Sequence, residues 1–148
     1  MDDFFSLQYL INCTGRFVRK EKALKKKDVF IYFFCSSKCA IGNDLLPKLK
    51  TIYEEAKKRH CPVEIIYFSS DTDAEAMLRH FKEDHHGWYA VPINELTVTE
   101  MHWKYNITCE PQIVVVRRNG DIVTRKGKED LLNLGINVLV KWLVPILI

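Results

Sequence analysis

The stretch Val29-Phe30-Ile31-Tyr32-Phe33-Phe34-Cys35 is an unbroken run of apolar and aromatic residues. A strand with one face in water alternates polar and apolar residues, so a run without alternation is typical of a strand buried on both faces. We therefore expect residues 29–35 to form a central strand of a mostly parallel sheet. Three polar residues, Ser36, Ser37 and Lys38, end the run and lead into Cys39.

The segment after Cys39 has the pattern of an amphipathic helix that continues to about His60. Its apolar positions recur at helical spacing and comprise Leu45, Leu46, Leu49, Ile52, Tyr53 and Ala56. Pro47 lies inside the segment, where a proline removes one helical hydrogen bond and is expected to kink the helix. The pattern places Cys39 at the first turn of a long helix that follows a buried strand.

Further strands and helices alternate along the chain, which predicts an α/β layer fold with helices on both faces of a central mixed sheet. We expect strands at residues 63–68, 88–92, 113–117 and 122–125, the last two joined by a turn at 119–121. We expect helices around residues 76–81, capped by Thr72 or Asp73, at 95–105 and around 131–138. An added N-terminal hairpin is expected over residues 10–18, and all elements belong to one domain over residues 1–148.

The charge balance argues against nucleic acid as a partner. Lysine and arginine number 22 against 19 acidic residues, and seven of the basic residues lie between Arg16 and Lys27, which leaves the remainder of the chain at −3. A nucleic-acid binder combines a basic surface with an element that enters a groove or stacks on bases, and we find no such element. A solvated loop containing Lys25 and Lys26 is the simpler interpretation.

Cysteine content and hydropathy bear on where the protein works. Five cysteines, an odd number at scattered positions, do not indicate a disulfide framework and are typical of a reducing environment. The apolar segment at residues 142–148 is far shorter than the roughly 20 residues of a membrane span. We therefore expect a cytoplasmic protein without a membrane-spanning helix.

The histidines His80, His85 and His86 lie close together, yet no second group of ligands at metal-binding spacing accompanies them. We expect them to lie at a solvated helix end, and we expect neither a bound metal nor another cofactor. The tryptophans are expected to pack in the core or at its edge rather than to form a ligand cage; they are Trp88, Trp103 and Trp142.

Cys39 is the first candidate for chemistry, because a thiol at the start of a helix lies near unpaired backbone N–H groups and the positive end of the helix dipole. The neighbouring Lys38 adds positive charge. The alternative is a small buried cysteine without reactivity. Position alone does not separate the two interpretations, because it does not give the exposure of the thiol.

A second stretch, residues 105–113, has the sequence YNITCEPQI, in which Pro111 directly precedes a strand and a hairpin. A cysteine at a helix start, a later proline loop and then an antiparallel hairpin is an order that resembles the thioredoxin fold. Residues 88–92 (WYAVP) and 119–127 (NGDIVTRKG) resemble the tryparedoxin and nucleoredoxin branch of that superfamily. The opening residues 10–15 (LINCTG) resemble its nucleoredoxin-like proteins, the family of the rod-derived cone viability factors.

The resemblance implies a role for several residues. It makes Cys39 the nucleophilic cysteine, Pro111 the cis-proline that faces it and Pro47 the helix-kinking proline. The substrate groove of the family would then comprise Lys38, Ala40, Ile41, Gly42, Glu110 and Pro111.

Three departures from the family pattern affect the expected chemistry. Where a dithiol enzyme has Cys-Pro-Pro-Cys, this chain has Cys39-Ala40-Ile41-Gly42, so glycine replaces the resolving cysteine. The aromatic residue that usually precedes the nucleophile is Lys38, and the apolar residue that usually precedes the cis-proline is Glu110. Without the second thiol, a mixed disulfide persists until an external thiol attacks it.

Two other cysteines are candidates for the resolving thiol. Cys109 lies two residues before Pro111 on the loop that faces the nucleophile in this fold, and Cys35 lies at the end of the strand. We place Cys109 first and include it with Cys39 as a catalytic residue, although a bridge needs Cα atoms within about 7 Å of each other. The alternative is that Cys35 and Cys109 are both buried packing residues.

The expected function is a thioredoxin-like thiol–disulfide oxidoreductase with a degenerate monothiol site, which performs weak or glutathione-assisted exchange with a protein disulfide or with glutathione. The alternative is a catalytically inactive thioredoxin-fold module, which binds a protein partner at the same groove and supports sensory or neuronal cells through signalling. Ionisation and exposure of Cys39 separate the two.

Overall fold

The structure is a computed structural model that describes residues 7–85, 87–93 and 95–147. Its strands are β1 (Tyr9–Ile11), β2 (Phe17–Arg19), β3 (Val29–Cys35), β4 (Val63–Ser69), β5 (Tyr89–Ala90), β6 (Gln112–Arg117) and β7 (Ile122–Thr124). Its helices are α1 (Lys20–Ala23), α2 (Ala40–Lys58), α3 (Ala74–Asp84), α4 (Glu95–Lys104), α5 (Gly127–Leu134) and α6 (Val138–Leu147), with a 3₁₀ turn at Gly135–Asn137.

The strands form one mixed sheet in the order β2-β1-β5-β4-β3-β6-β7. β3 is parallel to β4 on one side and antiparallel to β6 on the other, with Ile31 opposite Ile65 and Val115 respectively. Every residue of β3 and β4 is buried. The central mixed sheet, the two-sided burial of Val29–Cys35 and the N-terminal hairpin of β1 and β2 are therefore confirmed. The expectation of a mostly parallel sheet is wrong, because among the strands of the described residues only the pairs β3–β4 and β4–β5 are parallel and the other four pairs are antiparallel.

Alternation along β3 divides its side chains between two cores. Phe34 packs on one face of the sheet, in the core that includes Met101 of α4. Phe33 and Cys35 pack on the opposite face, in the core that includes Leu45 of α2. The last side chain of the strand therefore faces helix α2, and this alternation sets the direction of the Cys35 thiol.

Two helix starts follow the sequence prediction. Asp73 caps α3, since its carboxylate accepts hydrogen bonds from the backbone N–H groups of Glu75 and Ala76 at 2.9 and 3.4 Å. Cys39 is the N-cap residue of α2, which contains Pro47 within its length. The thiol is thus placed at the beginning of a helix of 19 residues.

The C-terminal segment differs from the single helix that the apolar spacing predicts. The chain forms α5 and α6 with a 3₁₀ turn between them, because Gly135 adopts a φ of 57° and a ψ of −132°, outside the helical region. Positive φ costs glycine little, so the break occurs there. Asp130 joins the two helices, accepting hydrogen bonds from Lys141 Nζ and Trp142 Nε1 at 2.9 and 3.1 Å.

Two other expectations, on the tryptophans and on the histidines, are wrong in part. Trp103 is 81% exposed and does not pack in the core, whereas Trp88 and Trp142 are buried. His80 and His85 are buried rather than solvated, because α3 turns that side toward the sheet, where the His85 ring lies 4.3 Å from the Tyr67 ring between centroids. His86 lies outside the described residues.

Helix α1 was not predicted, because four residues are too few to show a helical period. Among the helices in the described ranges, we find none with the length and apolar content needed to cross a membrane.

Candidate functional site

The Cys39 sulfur lies where strand β3 passes into helix α2. A turn follows Cys35, and the backbone N–H of Cys39 closes it by donating to the carbonyl of Ser36 at 3.2 Å. The thiol is partly exposed, and its sulfur accepts a hydrogen bond from the backbone N–H of Gly42 at 3.3 Å. The sulfur therefore pairs with an N–H group of the first helical turn, where the helix dipole is positive, in a residue that is partly exposed.

The turn before Cys39 is held by Asp71, which follows strand β4. Its carboxylate accepts from the backbone N–H of Ser37 at 3.0 Å, from the Ser37 hydroxyl at 2.8 Å and from the Ser69 hydroxyl at 2.8 Å. Because β3 and β4 are parallel neighbours, their carboxyl ends lie side by side, and a carboxylate after one strand reaches the loop after the other. Asp71 was not identified from the sequence, because its partner Ser37 lies 34 residues away in the chain.

The proline loop lies at the same end of the sheet. Gln112 pairs with Phe34 across β6 and β3, so the preceding Pro111 is level with Cys35 and the turn to Cys39. Pro111 is buried, and the peptide bond that joins it to Glu110 is cis. The topology thus brings the two sequence segments that carry the resemblance to one edge of the sheet.

The carboxylate of Glu110 has two partners. It accepts a hydrogen bond from the Ser70 hydroxyl at 2.7 Å and contacts His102 Nε2 at 3.1 Å. The other ring nitrogen of His102 lies 2.8 Å from the carbonyl of Val98, so both nitrogens face oxygen atoms. The hydrogen bond to Glu110 raises the pKa of His102 above its ordinary value of 6.5, against a smaller opposing effect of burial. Glu110 therefore forms an ion pair when His102 is charged.

A cleft with a volume of about 400 Å³ lies beside this pair, between the end of β4 and helix α4. Ser70, Thr72, Val98 and His102 contribute to its lining. The cleft adjoins the proline loop through His102 and Ser70, the two partners of Glu110, and is large enough to receive side chains of a bound peptide.

Cys35 and Gly42 lie against each other beneath Cys39. The Cys35 side chain is buried, and its thiol donates to the carbonyl of Ser36 at 3.5 Å. A Cβ atom added to Gly42 would overlap the Cys35 sulfur and would lie 3.5 Å from the Cβ of Cys39. Burial, followed by interaction with Cys39, raises the pKa of the Cys35 thiol far above its ordinary value. The place of a side chain at residue 42 is thus filled by the sulfur of Cys35.

The other residues expected in the groove differ in exposure. Lys38, Ala40 and Ile41 are exposed, and Ile41 has 60% of its surface in solvent. Cys109 is also exposed, and its sulfur accepts a hydrogen bond from the side-chain amide of Gln112 at 3.2 Å. An exposed apolar residue beside Cys39 suits contact with a protein.

The sequence does contain a signal that the Cys35 side chain lies under the helix start that carries Cys39. A cysteine at the last position of a buried strand precedes a glycine in the first turn of the next helix, and a small residue there leaves room for the strand's last side chain.

In the residues that the structure describes, no group of three or more histidine, cysteine, aspartate or glutamate side chains could hold a metal ion.

Comparison with known proteins agrees with this arrangement. The family described as thioredoxin-like matches residues 27–122, which is more than half of the chain. Nucleoredoxin of Mus musculus is 28% identical over 115 residues, which are 77% of this chain and 26% of the mouse protein. The chain therefore spans about a quarter of the length of the first curated relatives that it matches.

Two solved structures show the same fold. The thioredoxin of Wuchereria bancrofti superposes with a TM-score of 0.81 at 26% identity, over 98% of this chain and 99% of that one. Tryparedoxin I of Crithidia fasciculata gives a TM-score of 0.76 at 21% identity, over 88% of each chain. The thioredoxin-like fold is confirmed, and the chain belongs to the thioredoxin-like family, where its sequence relatives are nucleoredoxins.

Proposed function

We propose that this protein is a thiol–disulfide oxidoreductase in which Cys39 attacks a disulfide of a protein or of glutathione. The observation that carries the proposal is the position of the Cys39 sulfur, which is partly exposed at the N-cap of α2 and accepts a hydrogen bond from Gly42 N–H. Membership of the thioredoxin-like family supports the same chemistry. The name of its relative, nucleoredoxin, is consistent with a redox role.

The reaction begins with the Cys39 thiolate. It attacks one sulfur of the substrate disulfide, forms a mixed disulfide and releases the other substrate sulfur as a thiolate, which then takes up a proton. In this proposal the exposed residues Lys38, Ala40 and Ile41, which adjoin Cys39 in the chain, contact the substrate, while the loop of Glu110 and Pro111 holds the substrate backbone. An external thiol such as glutathione returns Cys39 to the reduced form.

The absence of a cysteine at Gly42 makes this exchange slow and dependent on glutathione. We propose that it takes place in the cytoplasm, since the five cysteines are free thiols and a reducing compartment keeps them so. Cys109 is also exposed, and the Cys109→Ser variant below tests whether it takes part in the exchange.

The test is turnover of a glutathionylated peptide by the reduced protein in the presence of glutathione. We expect Cys39→Ser to abolish turnover, and we expect Cys13→Ser, which removes another exposed thiol in the turn between β1 and β2, to retain it. A loss in Cys109→Ser would add that residue to the cycle. Equal rates for wild type and Cys39→Ser would overturn the proposal.

A second candidate is a binding module that uses the same groove without turnover. The exposure of Ile41 beside Cys39 favours it, because an apolar side chain in water gains by contact with a partner. Such a module would serve a signalling role in sensory or neuronal cells. If wild type and Cys39→Ser are equally inactive in the turnover assay, this is the function that the groove supports.

A further inference from the structure

We propose that Cys35 is the resolving thiol of this protein and that it forms a disulfide with Cys39, in place of the cysteine that Gly42 replaces. The inference deepens the proposed function and rests on it, because it requires Cys39 to attack the substrate first. It places the redox pair across the turn between β3 and α2, rather than within one helix.

The Cys35 sulfur lies in the space that a side chain at residue 42 would take. Residue 42 is three positions after Cys39, and side chains at that spacing are neighbours on a helix. A Cβ atom at Gly42 would overlap the sulfur of Cys35 and would lie 3.4 Å from the Cβ of Cys35 and 3.5 Å from that of Cys39. The Cys35 sulfur therefore lies where a side chain of residue 42 would begin, next to the side chain of Cys39.

The two thiols also influence each other. Interaction with Cys39 is one of the causes that raise the pKa of the Cys35 thiol, after its burial. Cys35 donates to the carbonyl of Ser36 at 3.5 Å, and Cys39 accepts from Gly42 N–H at 3.3 Å, so backbone groups of the turn and of the helix start hold both sulfurs. A thiol held beside the nucleophile is placed to attack a disulfide that contains it.

The difference in exposure assigns the two roles. Cys39 is reached from solvent, whereas Cys35 is 2% exposed and lies under the turn. A protein disulfide therefore meets Cys39 first, and only the mixed disulfide on Cys39 comes within reach of Cys35. Burial also raises the pKa of the Cys35 thiol, which disfavours Cys35 as the first attacking group.

Resolution transfers the disulfide from the substrate to the protein. The Cys35 thiol gives up its proton as its sulfur attacks the Cys39 sulfur of the mixed disulfide. The Cys35–Cys39 bond forms, the bond between Cys39 and the substrate sulfur breaks, and the substrate leaves as a thiolate that takes up a proton. Two protein thiols are oxidised and one substrate disulfide is reduced. Glutathione, as the external thiol, then reduces the protein disulfide.

The experiment maps the disulfide that the reduced full-length protein forms with oxidised glutathione. After an acid quench and alkylation of free thiols, trypsin cleaves after Lys27, Lys38 and Lys48, which separates Cys35 on peptide 28–38 from Cys39 on peptide 39–48. We expect the wild-type protein to yield these two peptides linked by a disulfide. We expect Cys35→Ser and Cys35→Ala to yield peptide 39–48 carrying glutathione, and Cys13→Ser to behave as wild type.

Other outcomes separate failure of the Cys35 inference from failure of the proposed function. If wild type retains glutathione on peptide 39–48 to the same extent as Cys35→Ser, the inference is overturned while Cys39 remains a nucleophile. A link between peptide 39–48 and peptide 105–117, which carries Cys109, would overturn it in favour of Cys109. If peptide 39–48 gains neither a link nor glutathione, the proposed function fails as well.

A relocation variant tests the geometry without removing the second thiol. Cys35→Ala combined with Gly42→Cys clears the space under the turn and places a cysteine three residues after Cys39. We expect this double variant to form a disulfide between residues 39 and 42 and to release glutathione as wild type does. Persistent glutathione on Cys39 in a folded double variant would contradict the proposed equivalence of the two positions.

Discussion

The sulfur of Cys35 occupies the space that a side chain at Gly42 would need. Cys35 ends the central strand and Gly42 lies in the first turn of helix α2, so the contact joins the two elements that present Cys39. It explains why a glycine is accommodated near the helix start, where it otherwise weakens a helix. Cys35 and Gly42 therefore act as one packing unit beneath the nucleophile.

Substitution Gly42→Ala tests this packing. Glycine to alanine in an unobstructed helix stabilises by about 1 kcal/mol, but here the added methyl group overlaps a buried sulfur, and we expect a loss of about 1–3 kcal/mol. In the Cys35→Ala background the same substitution should stabilise. Urea unfolding of wild type, the two single variants and the double variant gives the coupling free energy between residues 35 and 42. Additive effects of the two substitutions would show that the residues do not share the space.

Asp71 is expected to matter for the site as well as for stability. Asp71→Ala removes three acceptor contacts to Ser37 and Ser69, which should cost about 1–3 kcal/mol and lower Cys39 turnover about tenfold, because the turn loses its fixed geometry. Asp73→Ala is the matched control: it removes the cap of α3, for about 1 kcal/mol, and should leave turnover unchanged. Equal turnover in the two variants would contradict a positioning role.

The pair of His102 and Glu110 predicts a pH dependence of stability. Because the folded pKa of His102 lies above 6.5, its contribution is complete below about pH 6.5 and disappears as the pH rises through the folded pKa. We expect His102→Asn to lose up to about 1 kcal/mol near pH 6 and less near pH 9. His60→Asn, an exposed position with a φ of 57° that asparagine tolerates, is the control. A loss that grows with pH would refute the assignment.

His85 predicts the opposite trend. Burial lowers the pKa of His85 to about 3, so below about pH 6.5 the unfolded chain binds a proton that the folded chain does not. As the pH is lowered, this group therefore reduces the free energy of unfolding by about 1.4 kcal/mol per pH unit, until the pH approaches the pKa of His85 in the folded protein. In His85→Gln the amide oxygen can accept from Trp88 Nε1 in place of the imidazole. We expect the free energy of unfolding of this variant, measured in urea, to fall less than that of wild type between about pH 6 and pH 4. Parallel curves for the two proteins would exclude His85 as the source.

Local patterns sufficed for the central elements of the fold. The unbroken apolar run of Val29–Cys35 predicts a strand buried on both faces, and the helical spacing after Cys39 predicts α2 with the thiol at its start. The break between α5 and α6 was not predicted, because it depends on the conformation of Gly135 rather than on the apolar period. The exposure of Trp103 likewise depends on how α4 turns relative to the sheet.

Contacts that cross the turn were harder to predict than the elements beside it. The sequence favours Cys109 over Cys35 as the resolving thiol, because the proline loop faces the nucleophile in this fold. The structure places the Cys35 sulfur where a side chain at Gly42 would begin, next to the Cys39 side chain, below a turn whose shape is held by Asp71 from the loop after β4. The direction of a strand's last side chain and the shape of the following turn together decide this placement.

The most direct test counts glutathione released when one equivalent of oxidised glutathione meets the reduced protein, in a chain whose Cys13, Cys61 and Cys109 are replaced by serine. Attack by Cys39 followed by resolution by Cys35 releases two glutathione molecules per protein. The same chain with Cys35→Ser should release one, and with Cys39→Ser none. Release of one glutathione with Cys35 present would contradict the account, because it would show that the mixed disulfide on Cys39 is not resolved within the protein.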